Sequence, residues 1–289
     1  MTIDWAHFTP WTALGGGVLI GAAASLFVLL NGRIAGISGL LASVLEPAAE
    51  GRGEKPLFLL GLLMAPLLWG LFGALPAMEF QSGWVGLLVA GLLVVWSHAT
   101  ALAVRAVMAS AESLACRRAR SSLRWCSWPP VSPRFFSSVI SWQVDMRKLA
   151  SFIAGLCFGL GLLLSGMANP AKVIGFLDLA GPWDPSLMLV MVGAIGTALL
   201  PFSWAKKRER SLLDAPMQLP SRRELDGRLI AGSLLFGVGW GIAGICPGPA
   251  IAVLLSGHWQ ITLFVLAMLG GMLLFSALER RRACCPGSH

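Results

Sequence analysis

Apolar residues occupy seven long stretches of this chain, and polar residues fall mainly between them. The stretches predict helices near residues 12–31, 57–75, 83–97, 149–167, 184–204, 228–245 and 260–278. A helix needs about 20 predominantly apolar residues to cross a bilayer, and several of these stretches reach that length. The pattern therefore predicts an all-α polytopic membrane protein with about 7–9 transmembrane helices.

Three of the predicted helices end in a break of Gly, Pro and Asn residues, and a short apolar segment follows each break. The breaks lie at residues 29–39, 164–171 and 243–250. This arrangement is typical of a re-entrant half-helix, because broken backbone survives at membrane depth only beside protein or a water-filled cavity. Breaks in corresponding halves of a chain point to a substrate site.

The second and third breaks belong to an internal repeat. Ala154-Gly155, Phe158-Gly159-x-Gly161, Gly166 and Pro170-Ala171 recur as Ala231-Gly232, Phe236-Gly237-x-Gly239, Gly244 and Pro249-Ala250. The offset is 77 to 79 residues, so small gaps are needed. The repeat predicts re-entrant half-helices in repeated halves around one path. The alternative is that membrane helices rich in Gly, Ala and Phe resemble one another by composition.

Composition supports the membrane class. Apolar residues make up 56% of the 289 residues and charged residues only 12%, against about 25% charged in an average soluble domain. With a mean hydropathy of +0.75, these values argue against a soluble globular protein. The net charge of +8 more often reflects Lys and Arg in cytoplasmic loops of a membrane chain than a nucleic-acid partner.

The basic residues form three clusters that indicate an orientation. Arg147 and Lys148 form the first cluster, the linker 205–228 carries the second, and residues 280–282 form the third. Two predicted spans separate each cluster from the next, so all three clusters can be cytoplasmic at once. We divide the chain into a first half, 1–146, and a second half, 147–289, which contains the basic linker 205–228. The side of the N-terminus depends on whether residues 34–45 span or re-enter.

Residues 97–142 depart from the pattern of the rest of the chain. They hold ten Ser, six Arg and one acidic residue, Glu112. A basic cytoplasmic loop is one interpretation, and an Arg-rich nucleic-acid patch is another, although no scaffold of alternating aromatic and basic residues surrounds it.

A third interpretation is that residues 97–142 are the product of a frameshift. Translated one nucleotide out of frame, residues 98–113 permit TRYGSGCTSGHGVCGI, and residues 123–140 permit an apolar span that ends in basic residues.

The frameshift hypothesis makes a direct prediction about the coding DNA. Each shifted position admits only about four amino acids, so a long coherent string is improbable by chance, although motif matches carry a false-positive risk. We expect the codons for residues 97–142 to read as that string in the neighbouring frame. Resequencing this stretch checks the prediction, and codons that do not permit the string contradict it.

The three breaks carry a family resemblance. Asn31-Gly32-Arg33-Ile34-Ala35-Gly36-Ile37-Ser38-Gly39, Ser165-Gly166-Met167-Ala168-Asn169-Pro170 and Gly244-Ile245-Cys246-Pro247-Gly248-Pro249-Ala250 resemble the YeeE/YedE family of sulfur-transport membrane proteins. The first half looks like one component of such a transporter and residues 147–280 look like its partner, joined in one chain. The resemblance covers nearly the whole chain, except 97–142 as written and the last few residues.

The resemblance implies a permease for thiosulfate or a related sulfur-containing anion, with a path of cysteines between opposed re-entrant helices. Only Cys246 carries over directly, because the Gly-Ser-Gly-Cys-Thr-Ser-Gly-His-Gly motif of the family is missing from the chain as written. Cys116 and Cys126 are not the cysteines of that motif. The expected partners are the lipid bilayer of the bacterial inner membrane, the sulfur anion and a cytoplasmic sulfur-acceptor protein, with no nucleic acid.

The expected substrate path contains Cys246, Pro247, Gly248, Pro249, Asn31 and Asn169. The Pro-Gly-Pro run predicts a new helix at Pro249 or just after, and a helix N-terminus favours an anion. A thiol binds an anion weakly enough for release. The alternative is that Cys246 is a small apolar filler. Asn31 and Asn169 either cap a half-helix or touch the substrate.

Three further residues have predicted roles, and for one of them two alternatives stay open. Lys172 either reaches the membrane interface or pairs with the anion. Cys157 lies within a predicted helix and is interpreted as a packing residue. Asp184 precedes Pro185, and we interpret it as capping the helix that follows.

An enzyme is the rival class. The sequence contains no His-Glu-x-x-His, no Gly-x-Ser-x-Gly and no paired intramembrane carboxylates, and such groups are expected in a hydrolase or a redox enzyme. We therefore expect no catalytic residues, no cofactor and no metal. A membrane thiol-dependent sulfur-transfer enzyme, or an inactive product of a frameshifted gene, remain the alternatives.

Overall fold

The computed structural model describes residues 2–5, 8–34, 37, 53–73, 76, 78–95, 133–217 and 227–283. Most of the anomalous segment 97–142, together with Cys116 and Cys126, lies outside these residues, and so does the segment that follows the first break. The frameshift hypothesis therefore stays a prediction for the coding DNA.

Each of the seven predicted apolar stretches contains a helix. The long helices are α1 (Pro10–Asn31), α2 (Glu54–Gly70), α3 (Trp84–Val95), α4 (Pro133–Leu164), α6 (Ser186–Ala205), α7 (Gly227–Ala243) and α9 (Trp259–Ala283). Two short helices, α5 (Pro170–Leu177) and α8 (Pro247–Ala252), follow the second and third breaks, and a 3-10 turn covers Leu254–Ser256. The described β-structure consists of a parallel pairing of Thr2–Ile3 with Pro182–Trp183 and an isolated antiparallel bridge between Arg210 and Pro216.

The described helices confirm an all-α polytopic membrane protein. Pro10–Asn31, Gln143–Leu164 and Ser186–Ala205 are each long and apolar enough to cross a membrane. Trp84–Val95, Ile230–Ala243 and Trp259–Leu274 are shorter apolar helices. A helix satisfies all of its backbone polar groups internally, which a bilayer core requires.

Glycines allow the long helices to approach one another closely. A Cβ at Gly155 on α4 would overlap the carbonyl oxygen of Phe58 on α2, and a Cβ at Gly61 would overlap the carbonyl oxygen of Phe152. Helix α1 meets α6 in the same way, because a Cβ at Gly193 would lie 2.8 Å from the carbonyl oxygen of Leu14. Small residues at such crossings let membrane helices gain van der Waals contact along their backbones.

The buried core draws on residues from both sides of the boundary at residue 146. Phe27 and Phe58 pack edge to face with ring centroids 5.2 Å apart, and Phe58 also contacts the ring of Phe158. Leu162 on α4 and Phe264 on α9 belong to the same buried cluster. The helices of the two expected halves therefore share one core.

The basic residues and the N-terminus lie at opposite ends of the helix bundle. The backbone N–H of Leu212 donates to the carbonyl oxygen of Leu29 at 2.8 Å, and the guanidinium of Arg147 donates to the carbonyl oxygen of Leu213 at 2.5 and 3.0 Å. The first basic cluster therefore lies beside the linker that carries the second. At the opposite end, the N–H of Thr9 donates to Ser186 Oγ at 3.2 Å. The N-terminus thus lies at the end of the bundle opposite the basic linker.

Candidate functional site

A left-handed glycine lies in each of the three predicted breaks. Gly32, Gly166 and Gly244 have φ angles of 70, 73 and 67°. A residue with a Cβ would adopt this conformation only at a cost of about 1–2 kcal/mol, so glycine ends each helix with little strain. The N–H groups of Gly32 and Gly244 donate to the carbonyl oxygens of Val28 and Trp240, each at 2.8 Å. The predicted breaks are thus confirmed in the backbone.

The second and third breaks have the same local design. Asn169 is the N-cap of α5 with φ −89° and ψ 116°, and Cys246 is the N-cap of α8 with φ −91° and ψ 159°. A proline occupies the first helical position after each of them. Cys246 therefore holds the position in the third break that Asn169 holds in the second.

Helix α8 begins two residues earlier than expected. The sequence predicts a start at Pro249 or just after, whereas α8 starts at Pro247. Proline suits the first position because its φ is already helical and its missing N–H would be unpaired there. Pro249 fits within the same turn, because the first N–H groups of a helix have no internal partner. The N–H of Ala250 makes a 3.1 Å bond to the carbonyl oxygen of Cys246.

The two asparagines behave differently. Asn169 Oδ1 accepts from the N–H of Ala171 at 3.0 Å, which confirms the capping interpretation, and also from the N–H of Glu79 at 3.2 Å. Asn31 is fully buried, and its Nδ2 donates to Ser151 Oγ on α4 at 2.6 Å. Its Oδ1 has no hydrogen-bond partner among the described residues. Asn31 thus ties α1 to α4.

A cavity of about 340 Å³ lies where the three breaks meet. Each break contributes to its wall: Ile37 from the first, Met167 from the second, and Cys246 from the third. The other lining residues are Ile20, Phe158, Leu162, Val190, Met191, Ala194, Phe236, Pro247, Gly248 and Pro249. Phe158 and Phe236 are equivalent positions of the internal repeat. The cavity therefore lies at the centre of the repeated arrangement.

Close contacts hold the breaks together around this cavity. A Cβ at Gly244 would lie 2.8 Å from the carbonyl oxygen of Pro170, so the third break abuts the start of α5. A Cβ at Gly248 would lie 2.9 Å from Ile37 Cδ1, so α8 also abuts the first break. Only a glycine permits these approaches without a shift of neighbouring atoms.

Cys246 is the accessible residue of the third break. The residues on both sides of it, from Ala243 to Val253, are buried, whereas Cys246 is half-buried. Its side chain makes no capping hydrogen bond. The wall around it is almost entirely apolar, so the thiol supplies a weak hydrogen-bond donor and a polarizable sulfur atom to an otherwise apolar cavity.

The expected path residues separate into two groups. Cys246, Pro247, Gly248 and Pro249 line the cavity, whereas Asn31 and Asn169 are absent from its described wall. Cys157 is half-buried on α4 and is also absent from that wall. Within the described part of the chain, no group of three or more His, Cys, Asp or Glu side chains is arranged to hold a metal ion.

Thr9 and Ser186, which were not predicted as site residues, join Lys172 and Asp184 in a polar cluster beside the cavity. Lys172 Nζ donates to Thr9 Oγ1 at 2.6 Å, and Ser186 Oγ donates to Asp184 Oδ1 at 2.5 Å. Asp184 Oδ1 also accepts from the N–H of Ser186 at 2.9 Å. The N-cap of α6 is Pro185, so Asp184 lies one residue before the cap position that the sequence predicts for it. The sequence feature that could have indicated these two residues is that Thr9 and Ser186 each flank a proline at the start of an apolar helix.

Comparisons with known proteins place the chain in a family. The model of a family of unknown function, DUF6691, matches residues 146–285. A protein named "Probable transporter" from Xylella fastidiosa strain 9a5c is 44% identical over 143 residues, which cover 49% of this chain and 98% of that protein. A protein of the same name from strain Temecula1 is 45% identical over 137 residues, covering 47% of this chain and 93% of that protein. No solved structure matches the chain.

Proposed function

We propose a specific cargo for this membrane transporter, which belongs to the same family as the Xylella fastidiosa relatives named probable transporter. The proposed cargo is thiosulfate or a related sulfur-containing anion, carried across the bacterial inner membrane. One observation carries the proposal: three helix breaks converge on a cavity in which Cys246 is the accessible residue of the third break. The resemblance of those breaks to the YeeE/YedE family supports it.

The chemistry of the cavity wall favours a sulfur anion over a fully oxygenated one. Apolar residues and the polarizable sulfur atoms of Met167 and Met191 surround the Cys246 thiol. Moving a hydrated anion into such a wall is costly unless new interactions replace its water. Thiosulfate presents a polarizable terminal sulfur in place of one oxygen of sulfate. That sulfur suits contact with the thiol and the thioethers, whereas the fourth oxygen of sulfate requires a strong donor in the same place.

The strength of the proposed interaction suits transport. A thiol is a weak donor, and movement through a site requires binding that is favourable enough for entry and weak enough for release. Cys246 therefore binds the anion briefly in this proposal, with the wall formed by Pro247, Gly248 and Pro249 next to it. Asn31 and Asn169 support the path by fixing α1 and α5 in place.

The difference between the two ends of the bundle indicates the direction of transport in this proposal. Basic residues mark the cytoplasmic side of a membrane protein, so the end that carries Arg147 and the linker faces the cytoplasm in this proposal. The N-terminus and the start of α6 then face outward. A cytoplasmic sulfur-acceptor protein is the proposed partner at the basic end, where the anion leaves.

Uptake of radiolabelled thiosulfate by cells tests the proposal. A bacterial strain without its own thiosulfate uptake, carrying this gene, is expected to accumulate label well above a vector control. Unlabelled thiosulfate should suppress the accumulation and unlabelled sulfate should not, because of the polarizable wall. Background accumulation in cells whose membranes contain the protein would overturn the proposal. Sulfur transfer by the detergent-purified protein, without uptake, would support the enzyme alternative instead.

A further inference from the structure

We propose that Lys172 is the residue that receives the anion before it enters the Cys246 cavity; this inference rests on the proposed function. A small second cavity of about 10 Å³ adjoins the large one, and Met167 and Val190 line both. Ser165, Lys172, Val173, Ser186 and Leu187 complete its wall. Lys172 is the single charged side chain in the described walls of the two cavities.

The charge of Lys172 is not neutralised by a direct ion pair. Its ammonium donates to the hydroxyl oxygen of Thr9, and none of the ion pairs found among the described residues includes it. An ionisable side chain inside a membrane protein is costly and marks a substrate or ion path by default. A half-buried ammonium with a neutral partner retains protons that an anion can accept.

The residues around Lys172 hold the site in shape. Ser186 Oγ accepts from the N–H of Thr9 and donates its own proton to Asp184 Oδ1. The buried carboxylate of Asp184 is therefore bound to Ser186 through Oδ1, while its Oδ2 has no hydrogen-bond partner among the described residues. Thr9 Oγ1 accepts from Lys172 and still has its own proton, which it can donate to an anion.

The position of Lys172 explains how an anion reaches an apolar cavity. The small cavity holds about one water molecule as it stands, so the anion takes the place of the Thr9 contact when the lysine side chain swings away. A Cβ at Gly166 would lie 3.3 Å from Lys172 Nζ, so the side chain lies over this left-handed glycine. Met167 and Val190, which line both cavities, connect this position to the large cavity. Lys172 thus offsets the loss of water from the anion at the entrance, and Cys246 binds the anion further along the path.

Substitution of Lys172 tests whether the anion binds there before it reaches Cys246. The measurement is the rate of uptake as a function of thiosulfate concentration. Lys172→Met keeps the length of the side chain and removes its charge. We expect KM for thiosulfate to rise on the order of tenfold or more, because an ion pair is lost, and the maximal rate to change much less. Lys172→Arg should restore KM to within a few fold. Lys148→Met is the matched control, because Lys148 is exposed and pairs with Asp145 at the basic end.

The outcomes separate this inference from the proposed function. An unchanged KM in Lys172→Met, with normal uptake in the unsubstituted protein, overturns the role of Lys172 and leaves the transport function intact. If the unsubstituted protein shows no uptake, the thermal unfolding of purified protein decides the inference. Stabilisation by thiosulfate that is lost in Lys172→Met and kept in Lys172→Arg supports an anion site there. Equal stabilisation of all three proteins, or stabilisation of none, overturns it.

Discussion

Alanine in place of Cys246 is expected to reduce thiosulfate uptake by roughly ten- to a hundredfold, the loss of one hydrogen bond to a charged group. The thiol is the hydrogen-bonding side chain of the third break that reaches the large cavity, since the residues around it are buried. Removing one sulfur atom from a half-buried position leaves the helix break itself intact. The measurement is the initial rate of uptake, normalised to the amount of protein in the membrane.

Two further variants make the Cys246 experiment specific. Cys157→Ala removes the other free cysteine of the described chain, which lies outside the cavity wall, and should leave uptake unchanged. Cys246→Ser keeps a donor but loses the polarizable sulfur, so it should retain more uptake than Cys246→Ala and lose preference for thiosulfate over sulfate. Normal uptake by Cys246→Ala would show that the thiol takes no part in transport.

Alanine in place of Gly155 is expected to destabilise the folded protein by about 2–3 kcal/mol, the usual cost of overpacking a tight contact. The added methyl group would overlap the carbonyl oxygen of Phe58, and a backbone atom cannot rotate away as a side chain can. Helices α2 and α4 must then separate, and the contacts of Phe58 with Phe27 and Phe158 are lost with them. The measurement is the unfolding midpoint of the purified protein in detergent.

Gly196 provides the matched control for this prediction. It lies on α6, and a Cβ there would meet no atom within 4 Å. Gly196→Ala should leave the unfolding midpoint unchanged or raise it slightly, because alanine is favoured over glycine inside a helix by up to about 1 kcal/mol. If the two variants unfold at the same midpoint, close helix contact at Gly155 does not contribute to stability.

The local features of the fold were predictable from sequence. Seven apolar stretches gave seven helices, because the length and hydropathy of a segment decide whether a bilayer accepts it. The three breaks were predictable because glycine adopts a left-handed turn with little strain, and because proline favours the first position of a helix. The internal repeat also identified equivalent positions, and Phe158 and Phe236 both line the large cavity.

Only some of the residues that line the cavity were predictable from sequence. Cys246 and the three residues after it line the cavity, since a helix break exposes whatever side chain it contains. Asn31 and Asn169 belong to similar breaks but bond to Ser151 and to the N–H of Ala171 instead. Asn169 caps its own helix, as the local sequence predicts, whereas the partner of Asn31 lies on the neighbouring helix α4 and is not encoded in the pattern along the chain.

The sequence by itself determined that this protein lies in a membrane, where its helices break and which break carries the cysteine. Each of these properties depends on residues that are close together in the chain. Tertiary structure decided that the three breaks meet at one cavity, that the N-terminus lies opposite the basic linker, and that Lys172 lies beside the cavity. These properties depend on contacts such as Lys172 with Thr9 and Thr9 with Ser186, which join residues 163 and 177 positions apart. Such contacts form only when packed helices bring distant residues together, so no local pattern of apolar and polar positions encodes them.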